Sequence, residues 1–372
     1  MAGSSHLFEP LAIRDMRLNN RIVVAPMCQY SAIDGTPQDW HFQHYGNLAV
    51  SGPGMIVVEA TAVSPEGRIS PNCLGLYSDA CEAGLAQLVR TVKQFGETRI
   101  ALQLCHAGRK ASTQPPWQGA GPLSSADGAW PTLSASAIPY TSNWPAPSEA
   151  GPYDLDRLRH AFVDAVIRAE RVGFDSIEIH SAHGYLLHQF LSPLSNRRTD
   201  VYGGALEGRM RFPLEVIRAV RVVWPANKPL GIRVSATDWI DGGFSPDEAV
   251  AYVAACKAEG VDYVCVSSGG LSPDAKIPVT PGYQVELAAR IRRETGMLTR
   301  AVGLIADAHL AEEVLAKGQA DFIALGRAFL DDPRWVWHAA DVLRANAFYP
   351  PQYLRVQPKL WPGAGQRAGL AG

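Results

Sequence analysis

The 372-residue sequence carries little that would tie it to a membrane, a metal or a nucleic acid. No uninterrupted apolar segment reaches the roughly 20 residues that span a bilayer, and residues 1–10 lack a basic region followed by an apolar stretch. A soluble, cytoplasmic protein is the expectation. The six cysteines (Cys28, Cys73, Cys81, Cys105, Cys256 and Cys265) show no CxxC spacing, so an iron–sulfur cluster or structural zinc has no evident ligand set. Most sit inside apolar runs, as reduced core thiols do. Lysine plus arginine number 34 against 36 acidic residues, a formal charge of -2, and no block of like charge occurs. That balance argues against nucleic-acid or membrane-surface partners and favours a small neutral or mildly polar ligand.

What is present is alternation. Short β-rich runs, most of them near-continuously apolar, occupy residues 21–25, 55–60, 99–104, 174–179, 229–235, 263–267, 298–302 and 322–325. Such runs mark strands covered on both faces. Helical periodicity lies between or after them, clearest over 155–172, where Leu158, Phe162, Ala165, Val166, Ala169 and Val172 recur at helical steps. Asp154 stands as the N-cap of that helix and Gly173 ends it. Further helices are predicted over 206–223, 246–259, 285–294, 308–317 and 327–343. Eight strand–helix units favour a closed (β/α)8 TIM barrel over an open sheet, and 372 residues are compatible with one barrel domain. An N-terminal hairpin, 11–13 with 16–18, is placed to close the lower end.

A long excursion follows strand three. Residues 111–153 hold eight prolines between Pro115 and Pro152, with Trp117, Trp130 and Trp144 among them. The prolines forbid a regular helix and the aromatics provide packing, so an ordered lid or pocket wall is expected. The tail, 350–372, carries Tyr353, Arg355 and Trp361, and its last ten residues, 363–372, read as a mobile end.

Barrel enzymes collect their chemistry at the C-terminal ends of strands. Those ends are polar here: Pro26-Met27-Cys28-Gln29-Tyr30 after the first, Gln103 and His106-Ala107-Gly108-Arg109-Lys110 at the third, and His180, His183 and Tyr185 after the fourth. The fifth strand contains Arg233 and the eighth runs into Gly326-Arg327. His180 and His183 fit a satisfied structural pair, two ligands of a metal, or two hydrogen-bond donors beside a phenol; a zinc site would need a third ligand that the loop does not offer. Cys28 fits a small buried hydrophobe equally well. Arg233 is costly to bury unpaired and needs either an ion-pair partner or a bound acceptor. Gly303 and Gly326-Arg327 occupy the phosphate position between the last two strands, where backbone N–H groups and a guanidinium meet an anion. Phosphate there, Arg233 at strand five and the Gln103 amide at strand three outline a ligand across the barrel mouth. A flavin mononucleotide fits: the cation would face the N1/O2 edge and the amide the O2/N3 edge.

Several ordered motifs then carry a resemblance. Ala25-Pro26-Met27-Cys28-Gln29-Tyr30, Val58-Glu59-Ala60-Thr61-Ala62-Val63, Gln103-Leu104-Cys105-His106-Ala107-Gly108-Arg109-Lys110, His180-Ser181-Ala182-His183-Gly184-Tyr185-Leu186, Ser195-Asn196-Arg197-Arg198-Thr199-Asp200-Val201-Tyr202-Gly203-Gly204 and Ala324-Leu325-Gly326-Arg327 run in order. From residue 7 to about 355 the chain resembles the Old Yellow Enzyme flavoproteins, closest to the bacterial xenobiotic reductases and thermophilic-like ene-reductases. The resemblance implies FMN held by Ala25, Pro26, Met27, Cys28, Ala60, Gln103, Arg233, Gly303, Gly326 and Arg327. It implies that His180 and His183 bind the substrate oxygen, that Tyr185 supplies a proton, that Tyr30 also touches the substrate, and that Cys28 tunes the flavin. It further implies NADPH, or NADH, as reductant, activated alkenes or nitro compounds as substrates, and a homodimer or homotetramer in which Arg355 reaches the neighbouring active site. Lys110 is given no role. The alternatives are a metal-dependent barrel lyase or aldolase acting on a phosphorylated substrate, and a non-catalytic flavin-binding barrel.

Overall fold

The first elements are the expected hairpin, β1 (Leu11–Ile13) and β2 (Met16–Leu18), paired antiparallel with Leu11 opposite Leu18. In the computed structural model, which describes residues 5–364, the chain continues through β3 (Ile22–Val24), α1 (Asp39–Ala49), β4 (Met55–Ala62), α2 (Asp79–Val92) and β5 (Arg99–Cys105). A two-stranded parallel sheet of β6 (Leu133–Ser134) and β7 (Ser148–Glu149) precedes α3 (Pro152–Val172) and β8 (Ser176–Ser181). There follow α4 (Leu186–Leu191), α5 (Leu206–Val223), β9 (Leu230–Ser235), α6 (Pro246–Ala258), β10 (Tyr263–Ser267), α7 (Val285–Thr295) and β11 (Leu298–Val302). The last are α8 (Ala308–Ala316), β12 (Phe322–Leu325), α9 (Arg327–Asp331) and α10 (Trp335–Leu343).

Strands β3, β4, β5, β8, β9, β10, β11 and β12 run parallel in that order, and β12 pairs back with β3 to close a (β/α)8 barrel. All eight predicted strands are present, the last three and the hairpin at their predicted bounds. Alternation along each strand separates two layers. On β8, Ile177 and Ile179 join the cluster packed under the helices, each fully buried and each contributing on the order of 2 kcal/mol by leaving water. Between them Glu178 points into the barrel. It reaches Arg300 of β11, a strand three places round the wall, and accepts from Gln103 Nε2 at 2.8 Å. Arg300 lies against the edge-to-face pair of Tyr263 and Phe322, at 5.5 and 5.8 Å from their centroids. Both charges are fully buried, so each depends on the other: removing one would leave the other uncompensated.

Three element assignments need correction. Helix α3 begins at Pro152, not after Asp154: Gly151 is the N-cap, proline fits the first helical position, and Asp154 Oδ2 accepts the Gly151 N–H at 3.0 Å. The excursion is thereby two residues shorter than 111–153. The predicted helix over 327–343 is two helices, because Pro333 lacks an N–H and the residue before it, Asp332, is extended. Helices α1, α2 and α4 were not predicted at all. Arg198, between α4 and α5, holds the excursion to the barrel: its Nη1 donates to the carbonyls of Ala135 and Ala150 at 3.0 and 2.8 Å. Of the tail's predicted mobile end, residues 365–372 lie outside the described residues. No helix among the described residues is long and apolar enough to cross a membrane.

Candidate active site

His180 stands near the end of β8, in register with Arg233 of β9. Its Nδ1 accepts the Ala182 N–H at 3.2 Å, so a neutral His180 carries its proton on Nε2. The chain then turns through the left-handed region at His183 (φ 56°) and Gly184 (φ 73°). A Cβ on Gly184 would stand 2.4 Å from the Gly270 carbonyl oxygen, and one on Gly270 would be 2.7 Å from His183 Cα. The two loops therefore cross where only glycine lets the backbones approach. Lys110 Nζ fastens the crossing by donating to the carbonyls of His183 and Gly270, both at 2.9 Å.

The rings of His180 and His183 stand 5.2 Å apart, and the Tyr185 ring meets His180 edge-on at 4.9 Å. Burial, then the Arg233 charge, holds both imidazoles well below the usual histidine range, so they are neutral at pH 7. Burial raises the Tyr185 phenol well above its usual value of about 10, so it keeps its proton. Burial also brings the Lys110 amine down to about 8. That amine lies 5.3 Å from the Tyr185 ring centroid and 4.7 Å from that of Tyr140, an excursion residue. A cation over a ring face attracts it, so Lys110 ties the excursion to the loop after β8.

Cys28, Tyr30, Tyr185 and Trp130 pack on one apolar cluster containing Ala60, Cys73 and Cys105. Ala60 reaches it through a register shift between β4 and β5 at Val58 and Thr61. Tyr30 holds a left-handed φ of 48° and meets Trp117 of the excursion edge-on at 5.7 Å. The Cys28 thiol is pushed up by a hydrogen bond to Cys73 and by burial, so Cys28 is a thiol and not a thiolate.

Beside this cluster opens a cavity of about 640 Å³ at the ends of β11, β12 and β3. Its walls include Ala25, Pro26, Met27, Arg233, Gly303, Gly326 and Arg327. Gly303 has φ 125°, and a Cβ there would press to 2.6 Å from Gln284 Nε2. Arg233 takes no ion-pair partner among the described residues, and its buried Nε has no hydrogen-bond partner. The structural ion pair that would have explained a buried arginine is absent, which leaves an acceptor in the cavity. Gln103 gives one N–H of Nε2 to Glu178, which orients the amide and leaves its carbonyl oxygen and second N–H for a ligand.

The fold thus gathers the predicted residues of strands one, three, four, five, seven and eight at one end of the barrel. Arg355 is not among them: it is exposed in a short 3₁₀ segment, Pro351–Val356, and no hydrogen bond among the described residues joins it to the site. Three residues that the sequence did not single out belong to the site. Ser267 contacts His183 Nε2 at 2.7 Å, Gln284 contacts Ser267 at 3.3 Å, and Tyr140 covers Lys110. Among the described residues, no group of three or more His, Cys, Asp or Glu side chains could hold a metal ion.

The sequence matches the NADH:flavin oxidoreductase / NADH oxidase family over residues 6–346. It is 47% identical over 351 residues to an NADPH dehydrogenase of Geobacillus thermodenitrificans, covering 94% of this chain and 98% of that protein. An NADPH dehydrogenase of Bacillus subtilis is 43% identical over 351 residues, with 94% and 98% covered. Morphinone reductase superposes with a TM-score of 0.75 at 29% identity, covering 93% of this chain and 92% of that one. Its complex with tetrahydroNAD superposes at 0.73, also at 29% identity, with 93% of each chain covered. The chain is a flavin oxidoreductase of the NADH:flavin oxidoreductase / NADH oxidase family, that of the Old Yellow Enzymes.

Proposed function

We propose that the protein is an FMN-dependent ene-reductase that uses NADPH to reduce the carbon–carbon double bond of α,β-unsaturated carbonyl or nitro compounds. The observation that carries this reading is the juxtaposition of two neutral imidazoles and a protonated phenol with a cavity whose buried arginine has, among the described residues, no hydrogen-bond partner for its Nε. The donor set fits FMN. Gly303, Gly326 and Arg327 would hold the phosphate, Arg233 the electron-rich N1/O2 edge, and the Gln103 carbonyl oxygen the N3–H, with Ala25, Pro26, Met27, Cys28 and Ala60 lining the ring. The chemistry FMN supplies when bound is hydride transfer, first from NADPH and then to the β-carbon of the alkene.

The residues of this chain do the rest. His180 donates from Nε2 to the substrate oxygen, His183 donates beside it, and both strengthen as negative charge grows there. Neutral imidazoles suit this role, since neither surrenders a proton to a weakly basic carbonyl. Tyr185 places its O–H to protonate the α-carbon. Tyr30 borders the same pocket, and Cys28 abuts the ring position as a neutral thiol. NADPH is favoured over NADH by the names of the relatives. A dimer with Arg355 entering the neighbouring site is the reading for the tail, supported by exposed Tyr353, Leu354 and Trp361 around it.

Product labelling tests the reaction. Turnover of 2-cyclohexenone with NADPH in D2O should give cyclohexanone with deuterium at the α-carbon and hydrogen from NADPH at the β-carbon. NADPH consumption without formation of cyclohexanone would overturn the proposal.

A further inference from the structure

A neutral imidazole has one proton and two nitrogens, and the partner of one nitrogen decides what the other presents. For His180 the backbone decides, through the Ala182 N–H on Nδ1. For His183 no backbone group does so. Among the described residues, the one hydrogen bond to its ring joins Nε2 to Ser267 Oγ at 2.7 Å.

We propose that Ser267, the last residue of β10, is a positioning residue that sets the tautomer of His183: its hydroxyl donates to Nε2, so the ring proton sits on Nδ1, the nitrogen left to meet a substrate oxygen. The rest of the network directs the hydroxyl proton this way. Gln284 donates its Nε2 to the Val302 carbonyl at 2.8 Å, which turns its Oε1 toward the two serines. Ser268 Oγ already serves that oxygen at 2.6 Å, whereas Ser267 lies 3.3 Å from it. The Ser267 proton therefore goes to the nearer acceptor, His183 Nε2. All three polar residues are buried, so the arrangement does not exchange partners with water. The opposite tautomer would direct a bare Nδ1 lone pair at the substrate oxygen, two acceptors facing each other with no proton between them. A second ring proton would not resolve this, because the half-buried ring stands near the Arg233 charge, which disfavours it.

The proton placement stands on these contacts; its consequence for substrate rests on the ene-reductase proposal. The test is 15N NMR of FMN-loaded enzyme labelled at histidine, with the His183 signals identified by their loss in His183→Gln. The expected result is a protonated, pyrrole-type Nδ1 and an unprotonated, pyridine-type Nε2. A protonated Nε2 overturns the proposal whatever the activity. In kinetics, Ser267→Ala should lower kcat/KM for 2-cyclohexenone about tenfold, the scale of one neutral hydrogen bond, and Ser267→Thr should restore most of it. In a His183→Gln background Ser267→Ala should cost nothing more; an undiminished loss there means that Ser267 acts elsewhere and also overturns the proposal. Failure of the ene-reductase proposal shows separately, as unchanged enone turnover in His183→Gln while His183 Nδ1 of the unsubstituted enzyme is protonated.

Discussion

The rings of His180 and Tyr185 meet edge to face with centroids 4.9 Å apart. In the proposed reaction the first donates to the substrate oxygen and the second supplies a proton. Four residues separate them along the chain, His183 and Gly184 among them, where the loop crosses Gly270, so a substrate bound by one would be presented to the other.

Removing either oxygen donor should slow the oxidative half-reaction. His180→Ala and His183→Ala are expected to lower the rate of enone reduction on the order of 100-fold, the cost of one oxyanion donor. Flavin reduction by NADPH should change far less, as stopped-flow traces of the two half-reactions will show. Equal slowing of both halves would mean that the pair acts on the cofactor.

Tyr185→Phe should slow enone-dependent reoxidation by roughly 100-fold, the lower range for a lost general acid, and leave enone binding nearly intact. Raised KM with unchanged kcat would instead make Tyr185 a binding residue.

Lys110→Met should loosen the loop crossing, since Nζ donates to His183 O and Gly270 O. A roughly tenfold loss in kcat/KM is expected from two half-buried bonds to a cation. The amine's pKa of about 8 adds a second signature: the alkaline limb of the wild-type kcat/KM profile near that pH should disappear in the variant.

Acid should destabilise the fold early. Burial lowers His44 and His106 to about 4 and holds His180 and His183 well below their usual range. An unfolded histidine titrates near 6.5. Between that value and 4 the unfolded chain binds more protons, so stability is fully present above about 6.5 and falls as pH drops below it. Each such histidine adds a slope of about 1.4 kcal/mol per pH unit in that window. Urea unfolding of His106→Gln between pH 7 and 4.5 should show a slope smaller by about one proton.

The barrel was legible because strands covered on both faces read as continuous apolar runs, and because Gly173 and Pro246 punctuate helices in the usual way. Helix α1 was not, since the face it buries is His41, His44, Tyr45 and Leu48, a polar-aromatic stripe that hydropathy does not mark. The site was legible at strand ends, where polar residues break apolar runs. Its tuning was not. Lys110 meets Gly270 across 160 residues and His183 meets Ser267 across 84, so neither contact leaves a local pattern. Arg300 could have been found by the argument applied to Arg233, a cation inside a strand; only the fold distinguishes them, pairing Arg300 with Glu178 and leaving Arg233 Nε unpartnered.

The central claim is most directly tested by anaerobic visible spectroscopy of the purified protein. The account predicts a yellow protein whose flavin absorbance near 450 nm (roughly, as for any FMN protein) is bleached by one equivalent of NADPH and restored by one equivalent of 2-cyclohexenone. A protein that is colourless after FMN is supplied, or one that NADPH bleaches and the enone fails to restore, would contradict it.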